Sequence, residues 1–233
     1  MPAGTSVPAA PPLSIIVPVL NEADGIHQAL RRLQPLRQRG AEVIVVDGGS
    51  DDGTPKHCTE WADAVLQAPA GRARQMNAGA ACARGEVLLF LHADTQLPDQ
   101  ADSLILGALA QGPVWGRFDV RIEGRSRGLA MVAAMMNLRS RLSAIATGDQ
   151  AMFLRRSAWD AVGGFADQPF LEDIDLSHRL KRLSTPACLR ERVVTSGRRW
   201  DRDGLWPTIA LMWQLRWRYW RGTPAEVLAR AYR

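Results

Sequence analysis

The densest chemistry in this chain lies in Leu89-Phe-Leu-His-Ala-Asp-Thr-Gln96, where an apolar run, Val87 to Leu91, stops abruptly in polar residues. Such a run reads as a buried strand, and in an open α/β sheet ligands bind outside the carboxyl ends of the strands. In extended chain, side chains at i, i+2 and i+4 share a face. His92, Asp94 and Gln96 are therefore expected to converge with an imidazole, a carboxylate and an amide oxygen. That set suits a divalent cation, Mn²⁺ or Mg²⁺, which also holds phosphate oxygens. A polar loop leading into the next helix would use the same residues.

A second chemical segment is Asp47-Gly-Gly-Ser-Asp-Asp-Gly-Thr54, which follows the apolar run Glu42 to Val46. Its glycines let the backbone turn tightly and approach a ligand, and Asp47 can accept from a ribose hydroxyl or a base N–H. An ordinary strand-to-helix turn has the same composition. The chain contains neither G-x-G-x-x-G nor G-x-x-x-x-G-K-[ST], which weakens a dinucleotide or P-loop reading. Pro169-Phe-Leu-Glu-Asp-Ile-Asp175 forms an acidic helix start, where carboxylates complement the helix dipole.

The elements that position these segments alternate. Leu13 to Leu20 reads as a buried strand ending at Asn21-Glu22, and Asp24 opens a helix carrying Ile26, Leu30 and Leu33, closed by Gly40. After the second strand, Thr54-Pro55 marks an N-cap followed by proline at the first helical position. Ala64 to Leu66 is a weak strand, and Ala73 to Ala83 an Ala-rich helix. Strands alternating with helices specify a βαβ, mostly parallel sheet. Beyond residue 112 the pattern changes. Gly116 to Glu123 alternates as an antiparallel or edge strand would, and Leu129 to Leu142 is a Met-rich helix. Gly148 to Leu154 reads as a short strand, and Asp173 to Leu183 as an amphipathic helix with Leu176, Leu180 and Leu183 on one face.

With 233 residues and 46% hydrophobic content, the chain suits one domain with an appendage. A net charge of +5 favours anionic partners such as nucleotides, phosphates or acidic headgroups. The basic residues are dispersed and form no nucleic-acid module, so nucleic acid is not an expected partner. Cys58, Cys82 and Cys188 are far apart and fit a reducing cytosol rather than a disulfide framework or a zinc cluster. Residues 1–12 are Pro/Ala-rich and read as a disordered tail. No stretch is apolar enough for a transmembrane helix.

Four blocks occur in order: Val17-Pro-Val-Leu-Asn-Glu22, Val46 to Thr54, Leu91-His-Ala-Asp94 and Phe170-Leu-Glu-Asp-Ile-Asp175. From Leu13 to Leu183 the chain resembles glycosyltransferase family 2, with its GT-A nucleotide-sugar-binding fold. Gly71-Arg-Ala-Arg-Gln-Met-Asn-Ala-Gly79 and Gly148-Asp-Gln150 make it look most similar to the radical-SAM/selenodomain-associated bacterial transferases. The resemblance implies an inverting, metal-dependent transfer from a nucleotide sugar, UDP-linked, to an acceptor it does not identify. It further implies that Pro18, Asn21, Glu22 and Asp47 line the nucleotide pocket, and that Arg72, Arg74 and Asn77 border the pyrophosphate. Asp94 corresponds to the metal-binding acid of Asp-x-Asp, with His92 replacing the first acid, and Gln96 matches a glutamine of the polyprenol-phosphate sugar synthases. Asp173, with Glu172 beside it, matches the acceptor base. Gly48 stands where many members carry an aspartate.

This reading implies a catalytic domain over 13–195, its nucleotide half ending near 112, and a C-terminal helical extension over 196–233. Five of the eight tryptophans fall between positions 200 and 220, interleaved with Arg216 and Arg218. A basic aromatic helix of this kind can rest on a membrane surface, bringing the enzyme to a lipid-linked acceptor at the inner face. Packing on the domain core or on a second copy in a homodimer uses the same pattern, with the arginines snorkelling outward. Two other functions compete. A catalytically weakened nucleotide-sugar-binding protein would explain the altered Asp-x-Asp, but needs no acceptor base. A nucleotidyltransferase would want a basic Gly-rich loop after the first strand, where Asn21-Glu22-Ala23-Asp24 is acidic.

Overall fold

A computed structural model describes residues 11–232; most of the expected N-terminal tail lies outside them. Eight strands form one sheet: β1 (Leu13–Val19), β2 (Glu42–Asp47), β3 (Ala64–Gln67), β4 (Val87–Phe90), β5 (Thr95–Gln96), β6 (Trp115–Glu123), β7 (Phe153–Arg155) and β8 (Ala187–Ser196), in the order β3-β2-β1-β4-β7-β6-β8-β5. The first four strands in that order are parallel to one another, β7 runs antiparallel to β4 and β6, and β6 and β8 are again parallel.

The unbroken apolar runs of β1, β2 and β4 are buried on both faces, as parallel strands between helices must be. Period-two alternation divides each run. Ile15, Val17, Val43, Val45 and Leu89 join one core cluster, while Ile16, Ile44, Val46, Leu88 and Phe90 join another on the opposite face. Helix α1 (Ala23–Gln38) seats Ile26, Leu30 and Leu33 on the first face, with Gly40 in the left-handed region (φ +96°) just beyond its end. Helices α2 (Thr54–Cys58) and α3 (Arg72–Cys82) follow β2 and β3. A side chain at Gly79 would meet Ile16 Cγ2 at 2.5 Å, so glycine there lets α3 lie directly on the sheet.

Helix α4 (Ala101–Ala110) precedes β6, and α5 (Leu129–Ser143) follows it. Two expectations need correction. Gly148–Gln150 is a single 3-10 turn, fastened by reciprocal bonds between Thr147 and Gln150, and strand pairing begins only at Phe153. Strand β6 is antiparallel to β7, as its alternation allowed, and lies inside the sheet because β8 pairs on its far side. The amphipathic helix is α7 (Glu172–Leu180), which ends before Leu183 and leaves that leucine exposed. Between β7 and α7 lies α6 (Arg156–Val162); after β8 come α8 (Arg198–Asp203), α9 (Leu205–Trp220) and α10 (Ala225–Tyr232). Leu215 and Leu228 of these last helices form a third cluster with Ile145, Phe170, Leu171 and Ile174, so the C-terminal segment closes over the start of α7.

Glu42 ties the start of β2 to β1 and to the entry of β4. It accepts from the Ser14 hydroxyl at 2.6 Å and from the Arg84 backbone N–H and guanidinium at 2.9 and 2.7 Å. Burial opposes its charge, yet these donors outweigh it and hold its pKa below the ordinary carboxylate value. Lowered in the fold, the carboxylate stabilises above pH 4.5, and that contribution is lost as pH falls through the folded value. Glu42→Gln is expected to lower unfolding stability in urea by about 1–3 kcal/mol at pH 7, with the difference shrinking in acid.

Candidate functional site

The loops after β1 and β2 are laced together. Asn21 sits in the left-handed region (φ +54°), which asparagine tolerates better than most residues. Its N–H donates to Ser50 Oγ at 2.9 Å and its Oδ1 accepts from the Asp51 N–H at 3.1 Å. The Glu22 N–H donates to Thr54 Oγ1, and the Ala23 N–H to Asp52, both at 2.9 Å. The Thr54 hydroxyl, with the Ala23 and Thr54 amides, keeps the Asp52 pKa below the usual carboxylate range. Asp47 is 2% exposed and receives the Gly49 and Ser50 N–H groups and the Ser50 hydroxyl. Pro18 is buried in β1 opposite Val46.

Composition had not singled out Gln75, which clasps this edge. Its amide nitrogen donates to the carbonyls of Val19 and Val46, both at 2.8 Å, joining the ends of β1 and β2. A Cβ at Gly48 would stand 3.1 Å from the Gln75 amide carbon, which accounts for glycine there.

The segment from Arg72 to Asn77 divides its residues between different tasks. Asn77 gives its amide to the Phe165 carbonyl at 2.9 Å and receives the Phe165 N–H at 3.0 Å, so both ends are committed to holding the chain before α7. Arg74 pairs with Asp167 at 2.7 Å on the exposed rim. Arg72 faces Glu172, Asp149 and Asp173 instead, and their charges hold its pKa up against desolvation. The expected pyrophosphate border is thus split between a structural tie, a surface pair and one exposed arginine under the influence of the α7 carboxylates.

His92, Asp94 and Gln96 do not extend β4. The Thr95 N–H closes a turn onto the His92 carbonyl at 3.0 Å, and Thr95-Gln96 form the edge strand β5, tied to β8 by a 3.0 Å Thr95–Thr195 hydroxyl bond. The turn defeats the alternation that would have aimed all three side chains at one point. Asp94 and Gln96 line a cleft of about 160 Å³ with Glu22 and Arg198. The Arg198 guanidinium stands 3.6 Å from Asp94 and 3.8 Å from Glu22. His92 turns the other way, its Nδ1 3.5 Å from Asp149 Oδ1.

Asp173 lies on the same side as Asp149. One of its oxygens accepts the Gly148 N–H at 2.8 Å and the other its neighbour's, Ile174, at 2.7 Å. The preceding Leu171 is left-handed (φ +60°), a strained state for leucine, and its burial in the third cluster holds it there. Burial and the adjacent Asp173 charge raise the pKa of Glu172, which is 7% exposed. Desolvation opposes the charge of Asp149, but the His92 ring 3.5 Å away, with Arg72 and Arg216 nearby, outweighs it and lowers that pKa.

Residues 14–162, well over half of the chain, match the family model "Glycosyl transferase family 2". The chain belongs to glycosyltransferase family 2. An uncharacterized glycosyltransferase of Mycobacterium tuberculosis is 31% identical over 181 residues, covering 70% of this chain and 68% of that protein. A mannosyltransferase of Pyrobaculum calidifontis, solved with GDP-Man and Mn²⁺, is 25% identical with a TM-score of 0.56, covering 79% of this chain and 56% of its own. TarS of S. aureus, solved with UDP-GlcNAc, shares the fold at 17% identity and a TM-score of 0.64, covering 80% and 58%. The protein is therefore a GT-A glycosyltransferase, with its acidic, Gly-rich turns at the carboxyl ends of parallel strands. The nucleotidyltransferase and pure-binder alternatives have no support in these relationships.

In this glycosyltransferase no group of three or more His, Cys, Asp or Glu side chains is placed to hold a metal among the described residues. Asp94, Glu22 and Gln96 nevertheless form a hard-oxygen set at one cleft. Burial first, then the charges of Asp94 and Asp52, push the Glu22 pKa up, and Arg198 opposes them. A negative spot already served by a guanidinium fits a Mn²⁺ or Mg²⁺ completed by nucleotide phosphates better than a self-sufficient protein cage. His92 falls outside that set.

Gly148 is the tightest point of the site, since a Cβ there would meet His92 Cε1 and Nε2 at 2.5 Å. Gly148→Ala is expected to destabilise by about 1–3 kcal/mol, whereas in a His92→Ala background the same change should cost far less. Chemical denaturation of the four proteins checks this; equal costs in both backgrounds would show that His92 is not the obstacle.

Proposed function

We propose that this protein transfers a sugar, with inversion, from a UDP-sugar to an acceptor hydroxyl, with Asp173 as the general base. The observation that carries the reading is the laced β1/β2 loops and the Asp94 cleft at the carboxyl ends of the parallel strands, with Arg72 in electrostatic reach of both Glu22 and the pinned Asp173 carboxylate. The uridine seats against Asn21 and the Asp47 turn, with Pro18 beneath, and the diphosphate extends toward Asp94 and Arg72. Asp94, Gln96 and Glu22 would hold Mn²⁺ or Mg²⁺, which when bound neutralises charge on the departing diphosphate. Arg198, poised between Glu22 and Asp94, meets the same phosphates with a fixed positive charge.

Asp173 takes the acceptor proton as the acceptor oxygen bonds to the anomeric carbon. The bond from that carbon to the phosphate oxygen breaks, and its electron pair leaves on UDP. The Gly71–Gly79 segment and the Gly148-Asp-Gln turn are the features that favour the radical-SAM/selenodomain-associated subgroup.

The acceptor is read as lipid-linked, reached from the cytoplasmic face. No helix among the described residues is long and apolar enough to cross a membrane. Helix α9 turns Trp206, Trp213, Trp217 and Trp220 outward, 57–79% exposed, at spacings that share one helical face. Helix α5 exposes Met131, Met135, Leu138 and Leu142 in a similar stripe. The two helices adjoin, since a side chain at Gly128 would run into Leu205, and Leu205 and Ile209 pack on the cluster that holds Leu129, Val132 and Ala133. Two adjacent apolar stripes with Arg218 and Arg221 nearby fit an anionic bilayer surface. Sedimentation with anionic vesicles should carry the wild type down and lose a Trp213→Ser/Trp217→Ser variant. Concentration-dependent dimerisation lost in that variant, without vesicle binding, would give the face to a second copy instead.

Asp94→Asn is expected to abolish the Mn²⁺-dependent part of UDP affinity in calorimetry. Asp173→Asn should keep UDP binding while transfer falls about 10²–10⁴-fold. Wild-type transfer by Asp173→Asn would move the base elsewhere, with Glu172 and Asp149 next in line.

A further inference from the structure

The acceptor side of the cleft carries cationic groups that sugar transfer itself does not use. Arg139 on α5 buries Nε and Nη2, and Arg216 on α9 buries Nε, with no hydrogen-bond partner among the described residues. Desolvating such donors unpaired is costly, and folded proteins avoid it. The same fold satisfies a neighbouring buried arginine in full: Arg117 bonds Ser140, Asp119 and the Asn137 carbonyl. Arg199 also buries Nε unbonded, but Asp203 lies 3.6 Å away and Tyr232 stacks 3.6 Å from its guanidinium.

The carboxylates closest in charge to Arg139 and Arg216 are engaged elsewhere. Asp173 is bonded to the Gly148 and Ile174 amides, and Asp149 lies against His92. Arg216 follows Leu215, which packs on Phe170, Leu171 and Ile174, so its stem leaves α9 beside the turn that bears Asp173. Both guanidinium groups feel Asp173, and burial, with the Arg216 charge next, lowers the Arg139 pKa to about 10. The one counter-charge they share, Asp173, spends its hydrogen bonds on backbone amides, which leaves the unpaired guanidinium nitrogens as a place for an anion.

We propose that Arg139 and Arg216 hold a phosphate monoester of the acceptor, next to the hydroxyl that Asp173 deprotonates. The inference rests on the Asp173 reading above. A phosphate monoester carries about −1.5 to −2 charge at pH 7, matching two guanidinium groups, and its three free oxygens match the three unpaired nitrogens. The Nε–Nη2 edge of Arg139 suits two of those oxygens at once. A carboxylate has one charge and two oxygens, and would leave one arginine unanswered. The phosphate anchors the acceptor and stays unchanged, while the sugar goes to the neighbouring hydroxyl.

The test uses the full chain with UDP and Mn²⁺ bound, titrated with inorganic phosphate and with glycerol 3-phosphate. Wild type should bind both, and Arg139→Gln or Arg216→Gln should weaken each about 10–100-fold, as expected for charge-assisted bonds, with UDP affinity unchanged. Arg139→Lys and Arg216→Lys keep the charge and guard against misfolding; they should retain part of the binding. Transfer assays then separate the sources of the phosphate. Glycerol 3-phosphate in solution and lysophosphatidic acid in vesicles each pair a phosphate monoester with a free hydroxyl, and glycerol and monoacylglycerol are their neutral counterparts. Transfer to either phosphate compound in preference to its neutral counterpart supports the site and says whether the acceptor is soluble or lipid. Phosphate binding that is missing in wild type or unaltered in the variants overturns it, as does preferred transfer to the neutral compounds. A parallel loss of UDP affinity would assign the arginines to the donor. Failure of wild type to bind UDP at all would instead remove the function on which the inference rests.

Discussion

The site depends on the absence of a side chain at Gly148. Its N–H holds the Asp173 carboxylate at 2.8 Å, and the space a Cβ would fill is taken by the His92 ring. The strand-end turn, the 3-10 turn and the start of α7 are far apart in sequence, yet they meet at this one residue. The Thr147–Gln150 capping bonds fix the turn, so the amide and the empty side are presented together. Without that contact the carboxylate proposed as base would lose one of its two backbone anchors.

The C-terminal helices complete the cleft as well as decorating it. Through Leu215 and Leu228 they bury Leu171 in its left-handed conformation, which sets the direction in which Glu172 and Asp173 leave the backbone. Arg198, at the start of α8, reaches the opposite side of the site and stands between Glu22 and Asp94. Strain at Leu171 and electrostatics at Asp94 are thus both answered by residues after β8. The two halves of the sheet cannot be treated as independent of this segment.

Much of the fold was legible because the apolar runs of β1, β2 and β4 are long, bounded by turn residues and separated by helical periodicity. The family resemblance followed from turns at those strand ends, and the family match bears it out. Side-chain direction was less legible. A single hydrogen bond from Thr95 to His92 turns the chain and sends His92 to Asp149 rather than to Asp94. Asn77 looked like a ligand contact, but its amide closes on the Phe165 backbone, a partner 88 residues away. Gln75 could have been found from the pairing of a buried-position glutamine in an Ala-rich helix with an unusual Gly48, since each explains the other. The orphan nitrogens of Arg139 and Arg216 leave no mark in sequence, where both read as ordinary helix arginines.

The central claim, that a nucleotide sugar is held by the laced turns with its diphosphate directed at Asp94 and its anomeric carbon at Asp173, is tested most directly by a crystal structure with UDP and Mn²⁺. The account requires uridine against Asn21 and the Asp47 turn, and a cation held at Asp94, with Asp173 facing the open side. Nucleotide bound outside these turns, or a cation held without Asp94, would contradict it.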